Sequence, residues 1–73
     1  MASIEARTEV TGAVWKIVTE VGQKVAAGDT IMLIESMKME IPVVIEQAGI
    51  IQKFLVEEKM PVSEGQVVAL LTP

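Results

Sequence analysis

Laid against itself, the chain repeats. Gly12 meets Gly49, a displacement of 37 positions, and at that displacement Lys16 meets Lys53, Glu20 meets Glu57, Val25 meets Val62, Gly28 meets Gly65 and Leu33 meets Leu70. Apolar character carries over where identity does not: Val14 with Ile51, Ile17 with Phe54, Val18 with Leu55, Ile31 with Val68 and Ile34 with Leu71. The register holds without a gap. Each half is too short to bury a hydrophobic face alone, so the halves must pack on one another, and a pseudo-two-fold arrangement is the simplest way to do it. Val14, Ile17, Val25 and Leu33 are therefore expected to meet Ile51, Phe54, Val62 and Leu70, or their neighbours, in one shared core.

With 73 residues, positions 1–73 make one small domain. A domain of this size buries only about 60% of the surface of its unfolded chain. No cysteine and no histidine are present, so neither a disulfide framework nor a zinc site can staple the core. One Trp, one Phe and no Tyr in a chain that is 51% hydrophobic leave an aliphatic core of Val, Ile, Leu, Met and Ala, and Val and Ile favour strands. Runs of these residues, punctuated by Gly, Pro and Asp, predict strands over residues 3–8, 12–18, 30–35, 39–44, 49–56 and 66–71, with short bridges near Lys24-Val25 and Pro61-Val62. Turns are expected at Val21-Gly22-Gln23, Ala27-Gly28-Asp29, Met37-Lys38, Gln47-Ala48, Glu58-Lys59 and Glu64-Gly65. Gly or Pro interrupts every window in which a helix might form. The expected class is all-β, a small sandwich or flattened barrel.

The net charge is −4, and the six cations, Arg7, Lys16, Lys24, Lys38, Lys53 and Lys59, are scattered. That pattern speaks against nucleic acid or an anionic membrane as partner. Residues 1–7 have no apolar leader, and no run approaches the roughly 18 apolar residues of a membrane span, so a cytoplasmic protein is expected. Without His, Cys or Tyr, and without a phosphate-cradling glycine loop ahead of a helix, the chain lacks the usual parts for acid–base or nucleophilic catalysis.

The connection between the two halves holds Glu35-Ser36-Met37-Lys38-Met39-Glu40. If Met37 and Lys38 are the central residues of a tight hairpin, Ser36 faces Met39, Glu35 faces Glu40, and Ile34 faces Ile41, which keeps the apolar pair together. Two-residue hairpins demand positive φ and normally use Asn-Gly or Asp-Gly; Met-Lys supplies neither. Glu35 opposite Glu40 adds like-charge repulsion of about 0.2 to 1 kcal/mol. A lone surface lysine usually does nothing, and alternating methionines are usually core. Two local rules broken at one tip, midway between matching halves, mark a functional site instead.

Ser36-Met37-Lys38-Met39 resembles the attachment signature of the biotinyl (biotin carboxyl carrier) domain family, a small residue followed by Met-Lys-Met. The likeness continues through residues 22–30 and 48–51 and covers nearly the whole chain. It implies two four-stranded antiparallel sheets with quasi-two-fold symmetry, and a carrier rather than an enzyme. Lys38 would be the biotinyl-lysine, Met37 and Met39 the flanking recognition residues, and Glu35, Ser36 and Glu40 contacts for the ligase. By the same resemblance, a biotin protein ligase presents biotin as an adenylate to the Lys38 amine. A lysine amine in water is almost wholly protonated at neutral pH, so the ligase must help remove that proton. A biotin carboxylase then carboxylates the ureido nitrogen, and a carboxyltransferase passes the carboxyl group to an organic acceptor, with the carrier monomeric in isolation.

Lipoyl domains share the fold, but their usual triplet is Asp-Lys-Ala. A lipoyl or dual carrier, and an unmodified β-barrel interaction module, are the competing readings. Some carriers of the family bear a protruding loop between the second and third strands; residues 12–25 have none, which implies the simpler type. Met1 followed closely by the fold points to a free-standing subunit. Trp15 is read as structural or partly exposed, since its repeat partner is Gln52, and Glu57-Glu58 as a solvated edge. Lys59 stands where the first half has Gly22, so either it takes a positive φ or that turn is built differently.

Overall fold

The computed structural model describes residues 3–73. They form eight strands: β1 (Ile4–Arg7), β2 (Gly12–Ile17), β3 (Lys24–Val25), β4 (Thr30–Ser36), β5 (Met39–Val44), β6 (Gly49–Phe54), β7 (Pro61–Val62) and β8 (Val67–Thr72). Two four-stranded antiparallel sheets result, ordered β1-β8-β6-β3 and β5-β4-β2-β7. The long aliphatic runs supply β4 and β8, which lie inside their sheets, while the two-residue β3 and β7 are edges.

The repeat is written into the hydrogen bonds. Gly22 N donates to Ile51 O at 2.7 Å, and Lys59 N to Val14 O at 2.6 Å; Ile51 N donates to Gln23 O at 3.0 Å, and Val14 N to Met60 O at 2.9 Å. In each pair the second bond is the first with the halves exchanged. An operation that carries one half onto the other and the other back onto the first is a two-fold, the same self-complementarity that defines an isologous dimer. The irregularities obey it too, since Trp15 bulges out of the β2–β4 ladder as Gln52 bulges out of the β6–β8 ladder.

The structure extends the repeat further than the sequence comparison reaches. Ile4 pairs with Leu71 as Ile41 pairs with Ile34, and Ala6 pairs with Ala69 as Val43 pairs with Met32, so β1 is the counterpart of β5. Gly28 N to Ile45 O and Gly65 N to Thr8 O, both 2.8 Å, continue the correspondence.

One core is shared by both halves: Val14, Val25, Ile31, Met32, Ile34 and Val43, with Ile51, Val62, Val68, Ala69, Leu71 and Ala6 as their counterparts in the repeat. Val14, Val25, Ile51 and Val62 are placed there as expected, with Ile17 and Phe54 packed against the core. Leu33 and Leu70 are not part of it. Strand alternation turns Ile34 and Leu71 inward and leaves the leucines half-buried beside Lys16 and Lys53, so the neighbour of each supplies the core residue.

Strand limits differ from the sequence reading by a residue or two. β6 ends at Phe54 rather than residue 56, because the chain bends away at Leu55, whose N–H bonds Val68 O at 2.9 Å. The turn expected at Gln47-Ala48 falls one residue earlier, as a bend over Glu46 and Gln47. Lys59 takes the positive φ, 74°, matching Gly22 at 90°. Glu58 does more than face solvent, since its Oε2 accepts the Ile17 N–H at 3.1 Å at the end of β2.

The identity of Gly12 and Gly49 has a steric cause. A Cβ on Gly12 would run into the backbone oxygen of Glu35, and one on Gly49 would lie 2.6 Å from the backbone oxygen of Thr72. Gly12→Ala should therefore push β2 and β4 apart and lower stability by about 1 to 3 kcal/mol. Denaturant unfolding checks it, and an unchanged midpoint would mean the strands part there freely.

Candidate attachment site

The β4–β5 hairpin has the predicted register: Ile34 opposite Ile41, Glu35 opposite Glu40 and Ser36 opposite Met39. Met37 and Lys38 form the tip with φ of 51° and 65°. Positive φ at both central residues is the signature of a type I′ turn, whose twist matches that of the flanking strands. Neither residue is glycine, and a side chain held there costs on the order of 1 to 3 kcal/mol and persists only where its surroundings over-determine it.

Those surroundings are visible. Ile34 and Val43 lock the hairpin's base into the core. The Ser36 hydroxyl donates to the Thr11 backbone oxygen at 2.9 Å, which ties the hairpin to the β1–β2 connection. Thr11 Oγ1 in turn accepts the Glu64 N–H at 3.0 Å. That connection is itself pinned by buried Thr8, whose hydroxyl donates to Val10 O at 2.9 Å and accepts the Val10 N–H at 3.2 Å. Gly12 then brings β2 against the Glu35 carbonyl. The tip is thus braced from below by residues of both halves.

Above the brace, the side chains are free. Lys38 is exposed, and among the described residues no hydrogen bond or ion pair engages its amine. Met37 is 92% exposed and Met39 59%, the first of these far beyond what packing would leave to an apolar side chain. Glu35 and Glu40 are also exposed, and Ser36 is half-buried. All six sequence-predicted site residues therefore gather on one hairpin. Thr11 and Thr8 were missed by sequence reasoning and carried no signal there, because their contribution is a carbonyl and a local turn. Gly12 carried one, its repetition as Gly49.

Chemically, the arrangement offers one unencumbered primary amine on a stiff projection, flanked by two thioethers. An amine in this setting suits acylation by a separate enzyme, and it fits a covalently tethered acid such as biotin or lipoate. Trp15, in the same sheet, is about half exposed at its bulge.

The family model described as "Biotin-requiring enzyme" (biotin/lipoyl) matches residues 3–71. The chain is 35% identical to the biotinylated protein TB7.3 homolog of Mycobacterium leprae, over 93% of this chain and 96% of that protein. It is 34% identical to the biotin/lipoyl attachment protein of Bacillus subtilis, over 88% of each. Among solved structures it superposes on the urea carboxylase of Kluyveromyces lactis with a TM-score of 0.93 and 35% identity, covering 99% of this chain and 6% of that one. Match and geometry agree, and the chain belongs to the biotin/lipoyl attachment domain family.

Proposed function

We propose that the chain is a biotin carboxyl carrier, with Lys38 as the attachment residue and residues 1–73 acting as a single carrier domain. The observation that carries this reading is the exposed, unpaired Lys38 amine between Met37 and Met39 at the tip of a braced type I′ turn. Support for the cofactor comes from the names of the relatives, one biotinylated and one a biotin/lipoyl attachment protein, and support for the partners from the likeness to part of a carboxylase.

When bound, biotin supplies a ureido nitrogen that takes up and gives back a carboxyl group. This chain supplies the amine and the surface beside it, and the separate enzymes supply the catalysis. The Lys38 amine, once deprotonated with help from a biotin protein ligase, would attack the carboxyl carbon of the biotinyl adenylate, form the amide and displace AMP as the acyl–phosphate bond breaks. Met37 and Met39 give the ligase and the partner enzymes an adaptable apolar surface beside the amine, with Glu35 and Glu40 as further ligase contacts and Ser36 as the brace. The stiff tip carries the attached group between a biotin carboxylase and a carboxyltransferase, and the tether raises its local concentration at each active site. The chain does this in the cytoplasm, as a monomer between its partners. Mass spectrometry of protein from its own host tests the reading, with a biotinyl increment on Lys38 expected. An unmodified Lys38 would favour a plain interaction module.

Lipoate is the second reading, because the Bacillus subtilis relative is named for both cofactors. Met37→Asp with Met39→Ala should leave the fold intact, weaken carboxyl transfer, and shift modification toward lipoate, scored by the mass added to Lys38 in the presence of each ligase. Unchanged carboxyl transfer in the double variant would mean that no partner reads the methionines.

A further inference from the structure

We propose that Met37 and Met39 form an oxidation site that gates the loading of Lys38, an inference that rests on the carrier reading above. The methionines of the described residues fall into separate environments. Met32 is fully buried in the core, Met60 is 37% exposed on the lip of β7, and Met39 and Met37 stand at 59% and 92% exposure on either side of the amine. Thioether oxidation follows access to the oxidant, so the two tip sulfurs are the ones a peroxide reaches first.

The step balances with hydrogen peroxide as the named oxidant. The sulfur lone pair attacks one peroxide oxygen, the O–O bond breaks, the sulfur gains that oxygen as a sulfoxide, and the other oxygen leaves as water. A methionine sulfoxide reductase with a dithiol reverses it, releasing water and a disulfide. The brace beneath the tip is untouched, because Ser36, Thr11, Gly12 and the buried Met32 lie outside the reaction. What changes is the surface next to the amine: two flexible apolar groups become two polar, chiral ones. Any partner surface that covers the thioethers would then have to bury an oxygen for which it has no donor, and an unsatisfied polar atom in an apolar contact is strongly disfavoured.

The whole chain is treated with hydrogen peroxide at a dose that leaves Met32 reduced, its sulfoxides are mapped by peptide mass spectrometry, and its rate of biotinylation by a biotin protein ligase is compared with that of untreated chain. Met37 and Met39 should oxidise about tenfold or more faster than Met32, with Met60 between. Loading of Lys38 should fall about tenfold and recover after sulfoxide reductase treatment. In the Met37→Leu, Met39→Leu variant the treated-to-untreated ratio should stay near one, whatever its own basal rate. Equal loading of chain fully oxidised at Met37 and Met39 would overturn the proposal, as would oxidation of Met32 as fast as Met37. Failure of the untreated chain to accept biotin on Lys38 would instead remove the carrier reading, and this proposal with it.

Discussion

Lys38→Arg is expected to abolish biotin attachment and leave the fold as it is. Arginine keeps the positive charge and the length of the side chain, but its guanidinium remains protonated and offers no nucleophilic nitrogen. Among the described residues no hydrogen bond or ion pair engages the exposed Lys38 side chain, so stability should stay within about 0.5 kcal/mol of the parent. Streptavidin blotting reads attachment and thermal unfolding reads the fold. Lys59 is the informative internal control, since it too is an exposed turn lysine with positive φ, 74°, followed by a methionine. It lacks the hairpin and the preceding methionine, with Glu58 before it, and should stay unmodified. A signal that survives in the Lys38→Arg variant on Lys59 or any other lysine would end the assignment.

The second large effect is on stability. Ile34 and Leu71 are pseudo-equivalent and both fully buried, and Ile34→Ala and Leu71→Ala should each cost about 2 to 5 kcal/mol. For a chain of this size the total is on the order of 4 to 11 kcal/mol, so either change consumes a large share of it. At about 4 to 8 °C per kcal/mol, melting should fall by tens of degrees. The two losses should also resemble one another, because the pseudo-two-fold puts both residues at equivalent backbone positions, between Val14 and Ile41 in one sheet and between Ile51 and Ile4 in the other. Calorimetry or denaturant unfolding of the pair measures this, and a variant that melts like the parent would contradict the shared core.

Much of this was legible in the sequence. The ungapped repeat of Gly12, Val14, Val25 and Ile34 on Gly49, Ile51, Val62 and Leu71 specified the pairing of halves, because the same backbone environment selects the same residue types. The hairpin register followed from keeping Ile34 opposite Ile41. The equivalence of β1 and β5 stayed hidden because outward positions there answer to different neighbours, Glu5 against Pro42 and Arg7 against Val44, and only inward Ile4 and Ile41 remain identical. Leu33 and Leu70 could be named only together with their neighbours, because each adjoins another apolar residue, Ile34 or Leu71, and hydrophobicity alone does not say which of the two faces inward. The brace under the tip was illegible for a different reason, since the Thr11 carbonyl and the Glu35 carbonyl are features any residue would bring.

The equivalence of β1 and β5 also bears on where the chain could be cut. The displacement that sets Ile41 over Ile4 and Ile34 over Leu71 sets Glu40 over Ser3 and Ser36 over Pro73. In one half a two-residue turn, Met37-Lys38, closes the gap between neighbouring strands. In the other the same gap lies between the two ends of the described chain. A circular permutant that joins those ends through a short linker and opens the backbone at another turn, such as Glu64-Gly65, would keep every strand pair and the lysine tip. Carrying Ser-Met-Lys-Met across that junction would give the fold a second tip with the same β-ladder beneath it. The architecture supplies two equivalent places to present an amine, and only the residues at one of them make the difference.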